Sequence, residues 1–161
     1  MNHCDLPLSP DSAAESSRVS EKGSRIHRFQ PAATAAAPHL WQGVAVQQYK
    51  PAADHHCGVV RAVLVGASGE KTRFQVRYFE IAANGHSTLE HHRHEHVVVV
   101  LRGRGQVRLG ETWHHVGFGD TVYVAADEVH QLRNNDDEPF GFLCIVDSER
   151  DRPVPVVAAS L

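Results

Sequence analysis

The chain has 161 residues, of which 42% are hydrophobic and 22% are charged, and its formal net charge is -3. These values are typical of one globular domain that is large enough to bury its own core. Arginine and lysine are scattered among the acids without forming a basic face, so no nucleic-acid partner is expected. No apolar stretch is long enough to span a bilayer, so no membrane partner is expected either. The N-terminal residues show no apolar h-region, so no secretory signal is expected.

The cysteines Cys4, Cys57 and Cys144 are odd in number and widely spaced, and none belongs to a CxxC motif. This pattern favours free thiols over a disulfide framework, and free thiols are typical of a reducing compartment. The expected location is therefore cytoplasmic.

Composition divides the chain into three parts. Residues 1–37 are rich in serine, alanine and proline and show no apolar period, which predicts a disordered or loosely ordered tail. Residues 38–150 form the predicted folded domain. Residues 151–161, with Pro153 and Pro155, are predicted to be a loose C-terminal extension.

The predicted domain consists of short runs rich in valine, phenylalanine and tyrosine, separated by turn signals such as Asn84-Gly85. Such runs without intervening helices indicate an all-β sandwich or barrel. The predicted strands are 44–49, 59–65, 74–81, 86–92, 96–101, 106–109, 112–116, 121–124, 129–133 and 140–146.

The segment from Glu90 to His96 contains four histidines and two carboxylates within seven residues. Imidazole and carboxylate at this density are typical ligands of a transition metal. In a straight strand the Cα atoms of two residues four positions apart, such as His92 and His96, lie roughly 13 Å from each other. This distance is too long for both side chains to bind a single ion. We therefore expect a tight hairpin at residues 93–95. Glu90, His92 and His96 would then face inward. His94 would lie at the turn, and it could replace Glu90 if the hairpin register shifted.

The spacing of these residues resembles the first cupin motif, G-x5-H-x-H-x3,4-E-x6-G. Counted back from Gly103, His96 takes the position of the motif's glutamate, while His92 and Glu90 take those of its two histidines. The carboxylate and imidazole ligands are therefore exchanged relative to the family pattern. Gly85 lies one residue too close to Glu90.

The second cupin motif, G-x5-P-x-G-x2-H-x3-N, is matched without a gap. It begins at Gly119 and places His130 at its histidine and Asn134 at its asparagine, while Ala125 and Asp127 replace its proline and second glycine. The resemblance covers about residues 40–147 and implies a cupin double-stranded β-helix, a jelly-roll-like β-barrel.

The resemblance implies one divalent transition metal ion, Fe, Mn, Cu, Ni or Zn, held by Glu90, His92, His96 and His130, with no other cofactor. It implies a metal-dependent oxidoreductase, and we expect a dioxygenase acting on a small oxygenated molecule. Beyond the metal ligands no catalytic residue is predicted. The alternatives are a redox-neutral isomerase, epimerase or lyase, a non-catalytic binding or sensor protein, and a histidine-rich metal scavenger.

Residues 97–100 are four consecutive valines, so both faces of their strand should be covered. His96, Val98 and Val100 are predicted to face the barrel interior. The other face would be covered by a second sheet or by another subunit, and because cupins are often dimers the resemblance implies a homodimer.

Overall fold

The computed structural model describes residues 23–49 and 56–156, and these residues form strands, turns and loops but no helix. All strand pairings are antiparallel, which confirms the all-β prediction. In chain order the strands are β1 (Phe29–Gln30), β2 (Leu40–Trp41), β3 (Val46–Gln48), β4 (Cys57–Val65), β5 (Phe74–His86), β6 (Glu90–His91), β7 (His96–Arg102), β8 (Arg104–Leu109), β9 (Thr112–Gly117), β10 (Thr121–Val124), β11 (His130–Arg133), β12 (Phe140–Asp147) and β13 (Val154–Pro155).

The main sheet curls because β5 pairs with different strands along its length. Its first part pairs with β4 and β12, and β12 continues to β7 and β10. Its last residue, His86, pairs with Cys57 of β4 on one side and with Arg133 of β11 on the other, and β11 lies beside β6 and β8. The predicted turn at Asn84-Gly85 is therefore wrong: it is a bend inside β5, where Asn84 has a φ of 59°.

The core lies between the two halves of the curled sheet. Along β7 the side chains alternate as predicted, with His96, Val98 and Val100 buried and the valines between them partly exposed. The core is made by the buried side chains of Val59, Phe79, Ile81, Val98, Val100, Val107, Leu132, Phe140, Phe142, Cys144 and Val146. The buried histidines of the candidate site are therefore set into an otherwise apolar interior.

The predicted N-terminal tail is described only in part, because residues 1–22 lie outside the described ranges. Its remainder follows the barrel surface and forms β1, which pairs with β2. Arg102 attaches this segment, since its guanidinium donates to the carbonyl oxygens of Ala35 and Ala37 and to the Oε1 atom of Glu80, 2.8 Å away. Glu80 is fully buried, and it also accepts hydrogen bonds from the Tyr78 hydroxyl and the His39 amide.

The C-terminal segment is more regular than its prolines predict. Within residues 151–156, β13 pairs with β6, and the Val156 amide donates to the Leu89 carbonyl. Residues 157–161 are outside the described part of the chain. The segment thereby covers the strand that leads into the histidine cluster.

The prediction of three free thiols is wrong, because Cys57 forms a disulfide. Cys144 is free and buried, as expected for a small core residue. The cytoplasmic location, which was inferred partly from free thiols, stays a prediction. Among the described residues, none belongs to a helix capable of crossing a bilayer.

Candidate metal centre

Three buried histidines converge at one end of the barrel. His92 lies in the connection after β6, His96 is the first residue of β7, and His130 is the first residue of β11. One potential ligand atom from each lies within 4.8 Å of those of the other two. Each residue is at most 8% exposed. The predicted histidines therefore form one compact site and are not independent surface ligands.

Hydrogen bonds fix which ring nitrogen of each histidine faces the centre. His92 Nδ1 lies 2.7 Å from the His94 carbonyl oxygen, and His130 Nδ1 lies 2.8 Å from that of Glu128. A carbonyl oxygen only accepts, so each Nδ1 carries the proton and each Nε2 keeps its lone pair. His96 Nδ1 lies 3.4 Å from the sulfur of Cys144.

The Nε2 atom of His96 is buried without a hydrogen-bond partner. A buried nitrogen of this kind is costly unless something binds it. A cation that takes three imidazole nitrogens satisfies this requirement, so the residues fit a bound divalent metal.

The environment keeps the three imidazoles neutral. Burial lowers the pKa of His92 to about 4 and that of His96 to about 2, and the neighbouring histidines act in the same direction. Burial also lowers the pKa of His130, although the nearby carboxylate of Glu90 opposes this shift. Because only a neutral imidazole can bind a metal, the site is ready for one at neutral pH.

The chain reaches the site by crossing the barrel, so the predicted hairpin at residues 93–95 is wrong. β6 pairs with β11 and β13, whereas β7 pairs with β10 and β12. The connection is held by Asp151, whose carboxylate accepts hydrogen bonds from the amides of Arg93 and His94. Its shape thus depends on a residue from the C-terminal segment.

His94, the predicted substitute for Glu90, lies outside the converging group. Its ring stacks on His92, with centroids 3.7 Å apart and an interplanar angle of 3°. Its Nδ1 atom lies 2.7 Å from the Oδ1 atom of Asp151. His94 therefore orients the His92 ring, and partners of this kind commonly fix the orientation of a histidine that binds a metal.

Glu90 also lies outside the group of atoms that converge. It is half-buried on β6, directly opposite His130 in the strand pairing, and it lines the same cavity as the histidines. The structure thus places it beside the site, and its role as a fourth metal ligand stays a prediction.

The histidines line one end of a cavity of about 580 Å³, a size suited to a small organic molecule. Leu132 lines it, as its shared parity with His130 indicates. Its basic residues were not predicted from the sequence, and they are Arg61, Arg77, Arg150 and Arg152. A signal was present in the sequence for two of them. Arg61 and Arg77 alternate with their neighbours in such a way that each faces the same side of its strand as the core residues of β4 and β5.

Cys144 places a thiol in the same cavity, between Arg77 and His96. The Arg77 Nη2 atom donates to the sulfur at 3.1 Å. Burial raises the pKa of the Cys144 thiol, while the Arg77 guanidinium acts in the opposite direction. This cysteine is thus a core residue whose sulfur also faces the site.

Comparison with known proteins identifies the relatives of this chain. The model of the cupin domain matches residues 77–146. The 1-methylthio-D-xylulose 5-phosphate methylsulfurylase of Rhodospirillum rubrum is 40% identical over 116 residues, which are 71% of this chain and 73% of that protein.

Two solved structures share the fold at similar identity. A cupin-2 domain protein from Rhodospirillum rubrum is 38% identical, with a TM-score of 0.70 over 76% of this chain and 82% of that one. A cupin 2 conserved barrel domain protein from Rhodopseudomonas palustris is 41% identical, with a TM-score of 0.68 over 73% of this chain and 81% of that one. The chain belongs to the cupin family, as its curled β-barrel, its three-histidine site and these similarities show.

Proposed function

We propose that this protein is a metal-dependent enzyme that breaks the carbon–sulfur bond of a phosphorylated methylthio-ketose. The observation that carries the proposal is one cavity that combines three converging imidazoles, a thiol and several guanidinium groups. The relative from Rhodospirillum rubrum, at 40% identity, is named for a substrate with a ketose carbonyl, a methylthio group and a phosphate. These three groups match the three kinds of side chain in the cavity.

The histidine end of the cavity suits the oxygen atoms of the ketose. A divalent ion bound by His92, His96 and His130 would supply Lewis-acid polarisation of the carbonyl. Leu132 and Phe142 line the same cavity, and their apolar side chains would limit the access of water to the reacting carbon.

Cys144 is placed to accept the methylthio group. Its sulfur, as the thiolate, attacks the sulfur of the substrate, so that an S–S bond forms while the bond between C1 and sulfur breaks. The electron pair left on C1 is delocalised onto the carbonyl oxygen as an enolate, which then takes up a proton. A small external thiol releases the methylthio group by disulfide exchange and regenerates the cysteine.

Arg77 favours this chemistry because it donates to the Cys144 sulfur. A guanidinium at hydrogen-bond distance stabilises a thiolate and offsets part of the effect of burial, which still raises the pKa of the Cys144 thiol. Arg77 thereby positions and activates the thiol.

The experiment incubates the metal-loaded protein with 1-methylthio-D-xylulose 5-phosphate and a small thiol, and measures disulfide formation together with oxygen uptake. We expect a methylthio disulfide and no oxygen consumption. Cys144→Ser should lower turnover by several orders of magnitude, because the hydroxyl cannot replace the sulfur nucleophile.

Metal content is the control for that variant. Cys144→Ser should keep the metal content of the wild type, because Cys144 is not one of the three converging ligands. Unchanged turnover in Cys144→Ser would refute the role of the thiol, and absence of any methylthio product in the wild type would refute the proposed reaction.

The dioxygenase expected from the sequence is the second candidate. The three-imidazole site supports it, because such ligands also suit a redox-active ion. Substrate-dependent oxygen uptake in the same assay, with diketones, catechols or keto acids, would favour this candidate over carbon–sulfur cleavage.

A further inference from the structure

The wall of the cavity carries a group of positive charges that the metal site does not use. Arg61 on β4, Arg77 on β5 and Arg150 after β12 all line the cavity that contains the histidines. Arg77 is only 8% exposed. Burying cations together is unfavourable unless something compensates their charge.

Two of these guanidinium groups act electrostatically on the third. Partial burial lowers the pKa of Arg150, and the positive charges of Arg77 and Arg61 lower it further. This repulsion agrees with the position of the three side chains in the lining of one cavity.

Within residues 23–49 and 56–156, no carboxylate forms an ion pair with any of the three. The ion pairs there join Arg25 to Glu70, Arg93 and His94 to Asp151, and Arg102 to Glu80. The Nε atoms of Arg61 and Arg77 are also buried without hydrogen-bond partners. One donor of Arg77 is already used by the Cys144 sulfur and one of Arg150 by the Asp147 carbonyl oxygen. Among the described residues, the positive charge of the group and the Nε donors of Arg61 and Arg77 are left for a ligand.

Aromatic rings hold two of these arginines in place. The guanidinium carbon of Arg61 lies 5.6 Å from the centroid of the Tyr49 ring, and that of Arg77 lies 5.3 Å from that of Phe79. Stacked guanidinium groups lose less freedom when they bind an anion, and their planar donors fit the oxygens of a phosphate.

We propose that Arg61, Arg77 and Arg150 form a subsite for the phosphate monoester of the substrate. This inference rests on the proposed function for the identity of the substrate, whereas the anion site is argued from the side chains alone. A phosphate monoester is close to a dianion at neutral pH, so it offers enough charge and acceptors to compensate three cations. The subsite would place the phosphate at the arginine wall and the carbonyl at the histidines.

The test measures binding of inorganic phosphate to the metal-loaded protein by calorimetry in chloride buffer at constant ionic strength. Wild type should bind phosphate, and Arg61→Met/Arg150→Met should bind it about a hundredfold or more weakly, since each charged hydrogen-bond donor contributes roughly tenfold. Arg104→Met is the matched control, because Arg104 is exposed on β8 and does not line the cavity. Its phosphate affinity should equal that of the wild type.

Two further arms identify the site and the anion. His130→Ala, which disrupts the metal site, should still bind phosphate if the arginines are the binding site. Succinate should bind at least tenfold more weakly than phosphate if the subsite is built for a phosphate group. Equal affinity for succinate, loss of phosphate binding in His130→Ala, or unchanged phosphate affinity in the double arginine variant would each overturn the proposal.

Turnover separates this inference from the proposed function. If phosphate binds as expected but no methylthio product forms, the reaction is wrong and the subsite stands. If product forms and Arg61→Met/Arg150→Met leaves KM unchanged, the subsite is wrong and the reaction stands.

Discussion

The decisive feature at the scale of single residues is how each histidine divides its two nitrogens. In His92 and His130 the Nδ1 atom faces a backbone carbonyl, and in His96 it faces a sulfur. The second nitrogen of each is thereby directed to one point. Neutral side chains with fixed ring orientation are what a metal site needs before the ion arrives.

Removing a ligand should remove the metal. We expect one divalent ion per chain in the wild type and loss of that ion in His92→Ala or His130→Ala, because two remaining imidazoles bind far more weakly. His94→Ala should retain it, since His94 contacts His92 and Asp151 rather than the centre. Elemental analysis of the purified variants measures the ratio. Full occupancy in His92→Ala/His130→Ala would contradict the assigned site and favour scattered histidines as the binding groups.

The same measurement decides the role of Glu90. Glu90→Gln removes the charge and keeps the size of the side chain. If Glu90 is a metal ligand, Glu90→Gln should lower the affinity of the protein for the metal by well over 100-fold. If Glu90 only supports His130, the affinity should fall by roughly 10–100-fold.

At the scale of elements, parity was predictable and pairing was not. Alternation along β7 correctly placed His96, Val98 and Val100 inside, because the direction of a side chain in a strand depends only on local geometry. The hairpin was wrong because it assumed that neighbouring segments pair with each other. The true partner of Glu90 is His130, forty residues away, and only the family spacing indicated that these segments meet. The cluster of Arg61, Arg77 and Arg150 comes from three separate segments, so local patterns could not reveal it.

The attachment of the N-terminal segment yields a prediction for stability. Arg102→Met leaves the fully buried Glu80 without its cation, so we expect the free energy of unfolding to fall by about 3–5 kcal/mol. Amide exchange in residues 32–39 should accelerate, because Arg102 also binds the carbonyls of Ala35 and Ala37. Chemical denaturation and hydrogen exchange measure the two effects.

Arg104→Met again provides the matched control. It removes the same charge from an exposed position two residues away, and it should change the free energy of unfolding by less than about 0.5 kcal/mol. If Arg102→Met were equally mild, the attachment would contribute little to stability.

At the scale of the molecule, the homodimer stays a prediction, and the outer face of the barrel is where we expect it to form. Tyr123 and Ile145 flank Val97 on neighbouring strands, and they are 60% and 36% exposed. An apolar surface of this kind is typical of a contact between subunits.

We propose that two copies of the chain meet at this face. Light scattering should give the mass of a dimer for the wild type and of a monomer for Tyr123→Glu/Ile145→Glu, because burying two added charges at the interface is costly. A monomeric wild type, or a variant that stays dimeric, would contradict this arrangement.

The curl of the main sheet also has a consequence for the stability of the folded protein. In the order of hydrogen-bonded strands, β12 and β5 lie between β7 and β11, yet the first residues of β7 and β11 meet at the histidine site. An ion bound there would connect β7 and β11 across the open end of the barrel, and no backbone hydrogen bond joins these two strands. Any ligand that binds only the folded state adds stability, by about 2.7 kcal/mol at a concentration one hundred times its Kd. The supply of metal would then affect how long the folded protein survives.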